Sequence, residues 1–333
     1  MNLFDEILNC DTCPDVDVIT DENQQEVEDH LNSTHRHGQD RISTTAFIVA
    51  HRPDDRKRLE DLYNESKDFL DSDYIPDFLY HFDQRTWELD VLKFLRDNNV
   101  EVYPPERSVG PDFDTALGYV ECIAVTRGVA DNAVPLPKAA IMHKDGTMDE
   151  IEFQPVPTNA IKLRISSAIS DKMAKYERYC QQDWFDKNKP RIIAISWFAD
   201  GSVWASDHRD ISTNASLQTL FGTGYPQITI DPNTHEVVSE GLSQEPVLRK
   251  ANNSEIPVGY FAKPPESDDK RIDGVILSSK WPGLYAPDSF RTISNPFTGG
   301  VNLDALSLGL RSYTSINDEG NGIKIETLPP HNR

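Results

Sequence analysis

No apolar run in this 333-residue sequence approaches the roughly 20 residues that cross a bilayer. The longest near-apolar stretch, Ile192 to Ala199, is broken by Ser196, so no membrane partner is expected. Cysteine is scarce: four residues in this length do not make a disulfide scaffold. Basic residues are outnumbered, 33 against 55 acids, for a net charge of −22. The basic footprint usual in nucleic-acid binders is therefore absent, and an anionic substrate must be met by a local basic patch or through a metal ion. The opening string MNLFDEILNC carries acids where a secretion signal carries base, so a cytoplasmic protein is expected. Internal repeats and long low-complexity tracts are missing too.

What remains is enough for a folded protein. Hydrophobic residues make up 38% and aromatics 9%, so a sizeable core can be buried. The length suits two domains, or one large domain with appendages. Charge is uneven. Residues 1–40 hold eleven acids and Arg36 as their only base. Residues 162–191 reverse the sign, with eight bases against four acids. A charge run is ordinarily a solvated face.

Periodicity gives the elements. Residues 1–45 are polar and acidic, with a short helical stretch at Gln24 to Asn32, and read as an appendage. The string AFIVA at 46–50 suggests a short strand. Asp54 to Phe69 suggests a charged helix, and Phe82 to Asn98 a stronger one, with Trp87, Val91, Phe94 and Leu95 at helical spacing and Glu88 bordering that face. Val100 to Tyr103 reads as a strand, and Phe113 to Val125 as extended chain broken near Leu117–Gly118. Residues 139–153 suggest a hairpin around Asp145–Gly146. Ile161 to Gln181 is helical, striped by Ile161, Ile165, Ile169, Met173 and Tyr176. Arg191 to Phe198 reads as a buried strand. Shorter extended pieces follow at Gln227 to Ile230, Gly274 to Ser278 and Phe290 to Ile293. Mixed helices and strands predict an α/β fold, divided as an appendage (1–45), a core (46–198) and a C-terminal elaboration (199–333).

The chemistry centres on Gly110-Pro111-Asp112-Phe113 and on Glu121 nine residues after the aspartate. Strand interiors are depleted in acids, so Glu121 between Val120 and Cys122 requires either a solvent-facing position or an inward partner. Two carboxylates converging from neighbouring strands suit a hard cation such as Mg²⁺. A Pro-Asp at a strand start, a glutamate on the next strand, then a helix and a strand resembles the PD-(D/E)XK nuclease superfamily, whose restriction-endonuclease-like core runs helix, three strands, helix, strand. The resemblance covers Phe82 to Phe198. It implies a metal-dependent nuclease in which Asp112 and Glu121 hold Mg²⁺ or Mn²⁺, with Glu88 as a further acid from the first core helix. The family's lysine two residues after the glutamate is Ile123 here. Some members take it from the following helix, where this chain has Lys172 and Lys175. The implied partner is nucleic acid, DNA ahead of RNA, met by Lys162, Arg164, Arg178, Lys187 and Lys189. The missing lysine keeps a second reading open: a degenerate module of the same fold that binds or assembles, with a protein partner or a second copy of itself.

A second constellation is N-terminal. Cys10 and Cys13 are spaced C-x2-C, and His30 and His35 follow, a set resembling a C2H2 zinc finger. Its sixteen-residue gap from Cys13 to His30 is long, and its acidity points to a structural or protein-contact role for Zn²⁺ rather than DNA reading. The alternative is a pair of reduced cysteines in a polar segment. The string Phe221-Gly-Thr-Gly-Tyr-Pro226 lacks a Walker lysine and a third glycine, and reads as a turn before the strand at 227–230. Asp207 to Asp210 reads as a solvated loop, Trp197 as core, and Cys122 as a buried, inert thiol.

Overall fold

The computed structural model describes residues 3–10, 27, 29–31, 33, 36–37, 40–107, 109–128, 133–135, 156–196, 214–278, 283, 285–306, 313–318 and 322–327. The chain divides into two compact units: Met1–Cys122 with Pro282–Tyr285, and Ile123–Trp281 with Ala286–Arg333. Both mix helices and strands. Among the described residues, no helix is long and apolar enough to cross a membrane.

The first unit is mostly helical. Among the described residues its helices include α1 (Asp5–Leu8), α2 (Thr44–Ala50), α3 (Pro53–Ser66), α4 (Tyr74–Phe78) and α5 (Phe82–Asp97). The segment 46–50, expected to be a strand, is instead the body of α2. A five-residue apolar run does not reveal its period. Here Ala46, Phe47 and Ala50 fall on one buried helical face, which settles the choice. Helix α5 carries no glycine or proline and ends at Asn98–Asn99. Asn99 takes a left-handed φ of 59°, which asparagine tolerates well, and lets Val100 N–H reach back to the Leu95 carbonyl.

Three strands follow α5: β3 (Val102–Tyr103), β4 (Phe113–Thr115) and β5 (Gly118–Ala124), after the small pair β1 (Arg36–His37) and β2 (Asp40–Arg41). Strands β3, β4 and β5 pair antiparallel in sequence order. Thr115 makes the tight β4–β5 reversal, its Oγ1 accepting from the N–H groups of Leu117 and Gly118.

The N-terminal segment is no loose appendage at its start. Leu3, Phe4 and Ile7 are buried. Phe4 lies edge-on to Phe78 at 5.4 Å and beside Phe82 at 6.5 Å, and Phe78 meets Phe82 at 5.4 Å. Tyr80 donates its hydroxyl to Glu6, 2.8 Å away. Val27 and Leu31 are also fully buried. The acid count had hidden these few apolar anchors.

The second unit is built on a long helix, α6 (Thr158–Tyr179), and a mixed sheet. Strand β6 (Arg191–Ser196) lies parallel to β11 (Gly274–Ser278), which pairs antiparallel with β12 (Phe290–Ser294). Strand β12 runs parallel to β13 (Tyr313–Asp318), which forms a hairpin with β14 (Gly322–Thr327). Every residue of β6 and β11 is buried, as their near-continuous apolar runs require. Helix α7 (Ala215–Phe221) was not anticipated. Asn214 caps it by accepting from Leu217 N–H, and Gly222 closes it at φ 63°. A Cβ at Gly222 would meet Gly259 Cα at 3.0 Å, so this glycine serves both conformation and close approach. The turn expected across Gly222–Pro226 therefore shrinks to that cap, and β7 (Thr223–Ile230) begins at once, pairing with β8 (Val237–Gln244). A short hairpin of β9 (Val247–Arg249) and β10 (Glu255–Pro257) completes the described strands. The expected hairpin at 139–153, Trp197 and the Asp207 to Asp210 loop lie outside the described residues.

Phe4 anchors a helix too short to stand alone. Phe4→Ala should therefore cost about 3–5 kcal/mol of stability, read as a lowered urea midpoint at unchanged m. Leu8→Ala, at a residue 43% exposed, should stay within about 0.5 kcal/mol of wild type.

Candidate carboxylate site

Helix α5 is buried on most sides and carries two acids inward on different faces, Glu88 at 4% exposure and Asp90 at 3%. A buried carboxylate is costly unless paired or protonated. Glu88 has both. Gln84, one turn earlier, donates from Nε2 to Glu88 Oε1 at 2.8 Å and to the Cys122 carbonyl at 3.0 Å. Arg85 donates to Glu88 Oε2 at 2.9 Å and also meets Asp71 at 3.1 Å and Asp77 at 2.9 Å. Its guanidinium lies over the Tyr74 ring at 5.3 Å.

Asp112 approaches the same place from the start of β4. Its Oδ2 accepts from Cys122 N–H at 2.6 Å. Strands β4 and β5 pair Phe113 with Val120, so Asp112 and Glu121 stand one step beyond that pair, at the same end of the hairpin. The solvent-facing alternative for Glu121 is excluded, because the residue is fully buried. Burial pushes the Glu88 carboxyl up to about 7; the charge of Asp112 pushes the same way, while Arg85 and Gln84 hold it down. Cys122, whose backbone joins Gln84 to Asp112, is buried, as expected of an inert thiol.

Sequence reasoning located Glu88, Asp112 and Glu121. It missed Gln84 and Arg85, although both carry a signal: they precede Glu88 by four and three residues, the spacing at which helical side chains meet. Their contacts change the role of Glu88. Expected as a metal-holding acid, it is engaged at both oxygens by Gln84 and Arg85.

The donor chemistry of Asp112 and Glu121 suits a hard cation. Mg²⁺ is commonly held by one or two carboxylates, taking its remaining ligands from water and substrate phosphate. Among the described residues, no three His, Cys, Asp or Glu side chains gather into a group able to hold a metal ion. Of the expected zinc set, Cys10 and His30 are described, whereas Cys13 and His35 lie outside the described residues.

The expected basic surface is corrected. Lys162 is 1% exposed and donates to Glu245 Oε2 at 2.5 Å and to the Thr223 carbonyl at 3.5 Å, so its charge is spent inside the unit. Arg164 is half-buried, bonding the Thr126 carbonyl at 2.9 Å and hydroxyl at 3.0 Å. Arg191 is fully buried, with its guanidinium 5.5 Å from the Phe185 ring centre. Arg178 and Lys187 stay exposed and Lys189 half-buried, but Asp171, Asp183 and Asp186 are exposed among them. The eight-to-four excess of base therefore does not reach the surface. Counting charge along a sequence misses this, because a base can turn inward to a partner far along the chain, as Lys162 does to Glu245. Of the two α6 lysines expected at the site, Lys172 is buried and Lys175 half-buried.

The raised Glu88 pKa has a definite sign. Between its ordinary value and about 7 the folded state binds more protons than the unfolded chain, so this group's contribution to stability falls as pH rises through that window. Wild type should lose more stability between pH 5 and 7.5 than Glu88→Gln, as measured by urea unfolding at the two pH values. Equal losses would remove Glu88 as the titrating group. Compared with known proteins, the chain matches no family model, no curated protein and no solved structure.

Proposed function

We propose that the chain is a metal-dependent nuclease that hydrolyses phosphodiester bonds, with Asp112 and Glu121 as its metal-holding carboxylates. The observation carrying this reading is the convergence of acids on one end of the β4–β5 hairpin: Asp112 against the Cys122 amide, buried Glu121 beside it, and Glu88 within electrostatic reach of Asp112. The order of elements from α5 to β6 supports it, being helix, three strands, helix, strand. These features agree with the PD-(D/E)XK resemblance and its restriction-endonuclease-like core.

In this reading each residue has a distinct task. The Cys122 amide holds Asp112 at a fixed angle. Gln84 ties Glu88 to the same peptide. Glu88, titrating near 7, can take up or release a proton at working pH. A bound Mg²⁺ or Mn²⁺ supplies water activation and neutralises charge building on the phosphodiester. The resemblance assigns the reaction's lysine to the helix after the three strands, where Lys172 and Lys175 are its two candidates. DNA is the substrate to try first and RNA the second.

A second reading has its own observation. Arg85 neutralises Glu88, and much of the basic segment is turned inward, as a degenerate module used for binding or assembly would tolerate. Cleavage assays separate the two. Wild type with Mn²⁺ or Mg²⁺ should cut DNA or RNA, and Asp112→Asn and Glu121→Gln should each lower the rate by about 100-fold or more, as loss of a charge-stabilising group does. Of Lys172→Met and Lys175→Met, the one that removes the reacting lysine should do the same, and the other should retain most of the activity. Thermal unfolding of each variant guards against misfolding. Cleavage unaffected in the Asp112 and Glu121 variants, or absent from wild type with both metals and both substrates, would leave the binding module standing.

A further inference from the structure

The second unit holds a half-open groove of about 530 Å³ beside α6. This lies within the range of about 300–1,000 Å³ usual for small-molecule sites. One wall is a face of α6, where Met173 and Ala174 stand near Glu177. Sequence periodicity had assigned Met173 to the core stripe, yet it is only half-buried and lines this groove. The facing wall combines Val247 and Pro257 of the β9–β10 hairpin, which are cross-strand partners, with Pro264 and Pro265 of the following loop.

Part of the groove wall is braced by hydrogen bonds. Tyr260 on its wall has its hydroxyl fixed by three contacts: Ser166 Oγ at 2.9 Å, Ser170 Oγ at 3.0 Å and the Ser166 carbonyl at 3.1 Å. Gly259 sits at φ 80° and donates its N–H to the Thr219 carbonyl. Prolines fix their own φ, so little conformational freedom remains for a ligand to freeze out.

The rim carries two lysines that share one carboxylate. Lys263 and Lys270 both turn to the single carboxylate of Glu266, at 3.7 and 3.5 Å. All three side chains are about half or more exposed, and such exposed pairs are worth about 1 kcal/mol or less. A ligand anion can therefore displace Glu266 and inherit both ammonium groups. Glu177 on the α6 wall repels an anion, which fixes the orientation: head toward the lysines, apolar body along Met173, Val247 and the prolines.

We propose that this groove binds a small apolar molecule bearing one anionic headgroup, of the class of medium-chain carboxylates. It is independent of the carboxylate site, and its test requires no nuclease activity.

The probe is decanoate below its micellar concentration, titrated by calorimetry into the full chain, with decyltrimethylammonium as the cation of equal chain length. Decanoate should bind saturably and the cation should not. Ala174→Trp, at an exposed position on the groove wall, should weaken decanoate at least about tenfold, a loss of about 1.4 kcal/mol. Lys263→Ala with Lys270→Ala should weaken it as well. Glu266→Gln, which frees both lysines, should tighten it about threefold, in keeping with the small worth of exposed pairs. Because Glu266 lies on the surface, this variant is readable even where the tryptophan variant fails to fold. No saturable decanoate binding, binding that persists in folded Ala174→Trp, preference for the cation, or weaker binding in Glu266→Gln would each overturn the proposal.

Discussion

A helix that buries acids constrains everything packed around it. Helix α5 carries Glu88 and Asp90 into the interior, and neither tolerates a bare charge there. Glu88 is met by Arg85 and Gln84. Asp90 is met by the N–H of Gly283, 193 residues away in sequence, at 2.7 Å. Burial pushes Asp90 up to about 7, against the pull of that N–H and of Arg58. The short Pro282–Tyr285 segment joins the first unit on these terms. Tyr285 donates its hydroxyl to Asp97 at 2.6 Å, and Lys93 sits 5.1 Å from the centre of its ring.

The same rule organises the second unit, where a buried base, Lys162, and a buried acid, Asp273, each find partners. Lys162 is buried against Glu245, and Arg191 hydrogen-bonds through its main-chain N–H to Asp273. Asp273 also receives Arg271 Nε at 3.0 Å. Charges that look like surface on a sequence are here internal fasteners. A protein of net charge −22 thus spends several of its few cations on its own carboxylates. In the proposed nuclease, little basic surface is left to meet a nucleic-acid backbone, so the metal must carry much of that attraction.

The legible parts of the fold were those with a long period. Helices α5 and α6 announce themselves through apolar spacing, and β6 and β11 through unbroken apolar runs. Short elements did not: α2 looked like a strand, while α4 and α7 were silent, because a five- to seven-residue helix takes its stability from tertiary contacts. For the site, Asp112 and Glu121 were visible because acids beside strands are unusual. The Cys122 amide that holds Asp112 was invisible, since a backbone group has no letter. Lys162 was misread for the opposite reason: the letter is visible and its burial is not.

The central claim is that Asp112 and Glu121 together hold a hard divalent cation. Calorimetric titration of Mn²⁺ into wild type and into the Asp112→Asn/Glu121→Gln double variant tests it most directly. The account predicts a saturable site in wild type that disappears in the double variant while the fold, followed by circular dichroism, persists. Equal binding heats in the two proteins, or none in either, would contradict it.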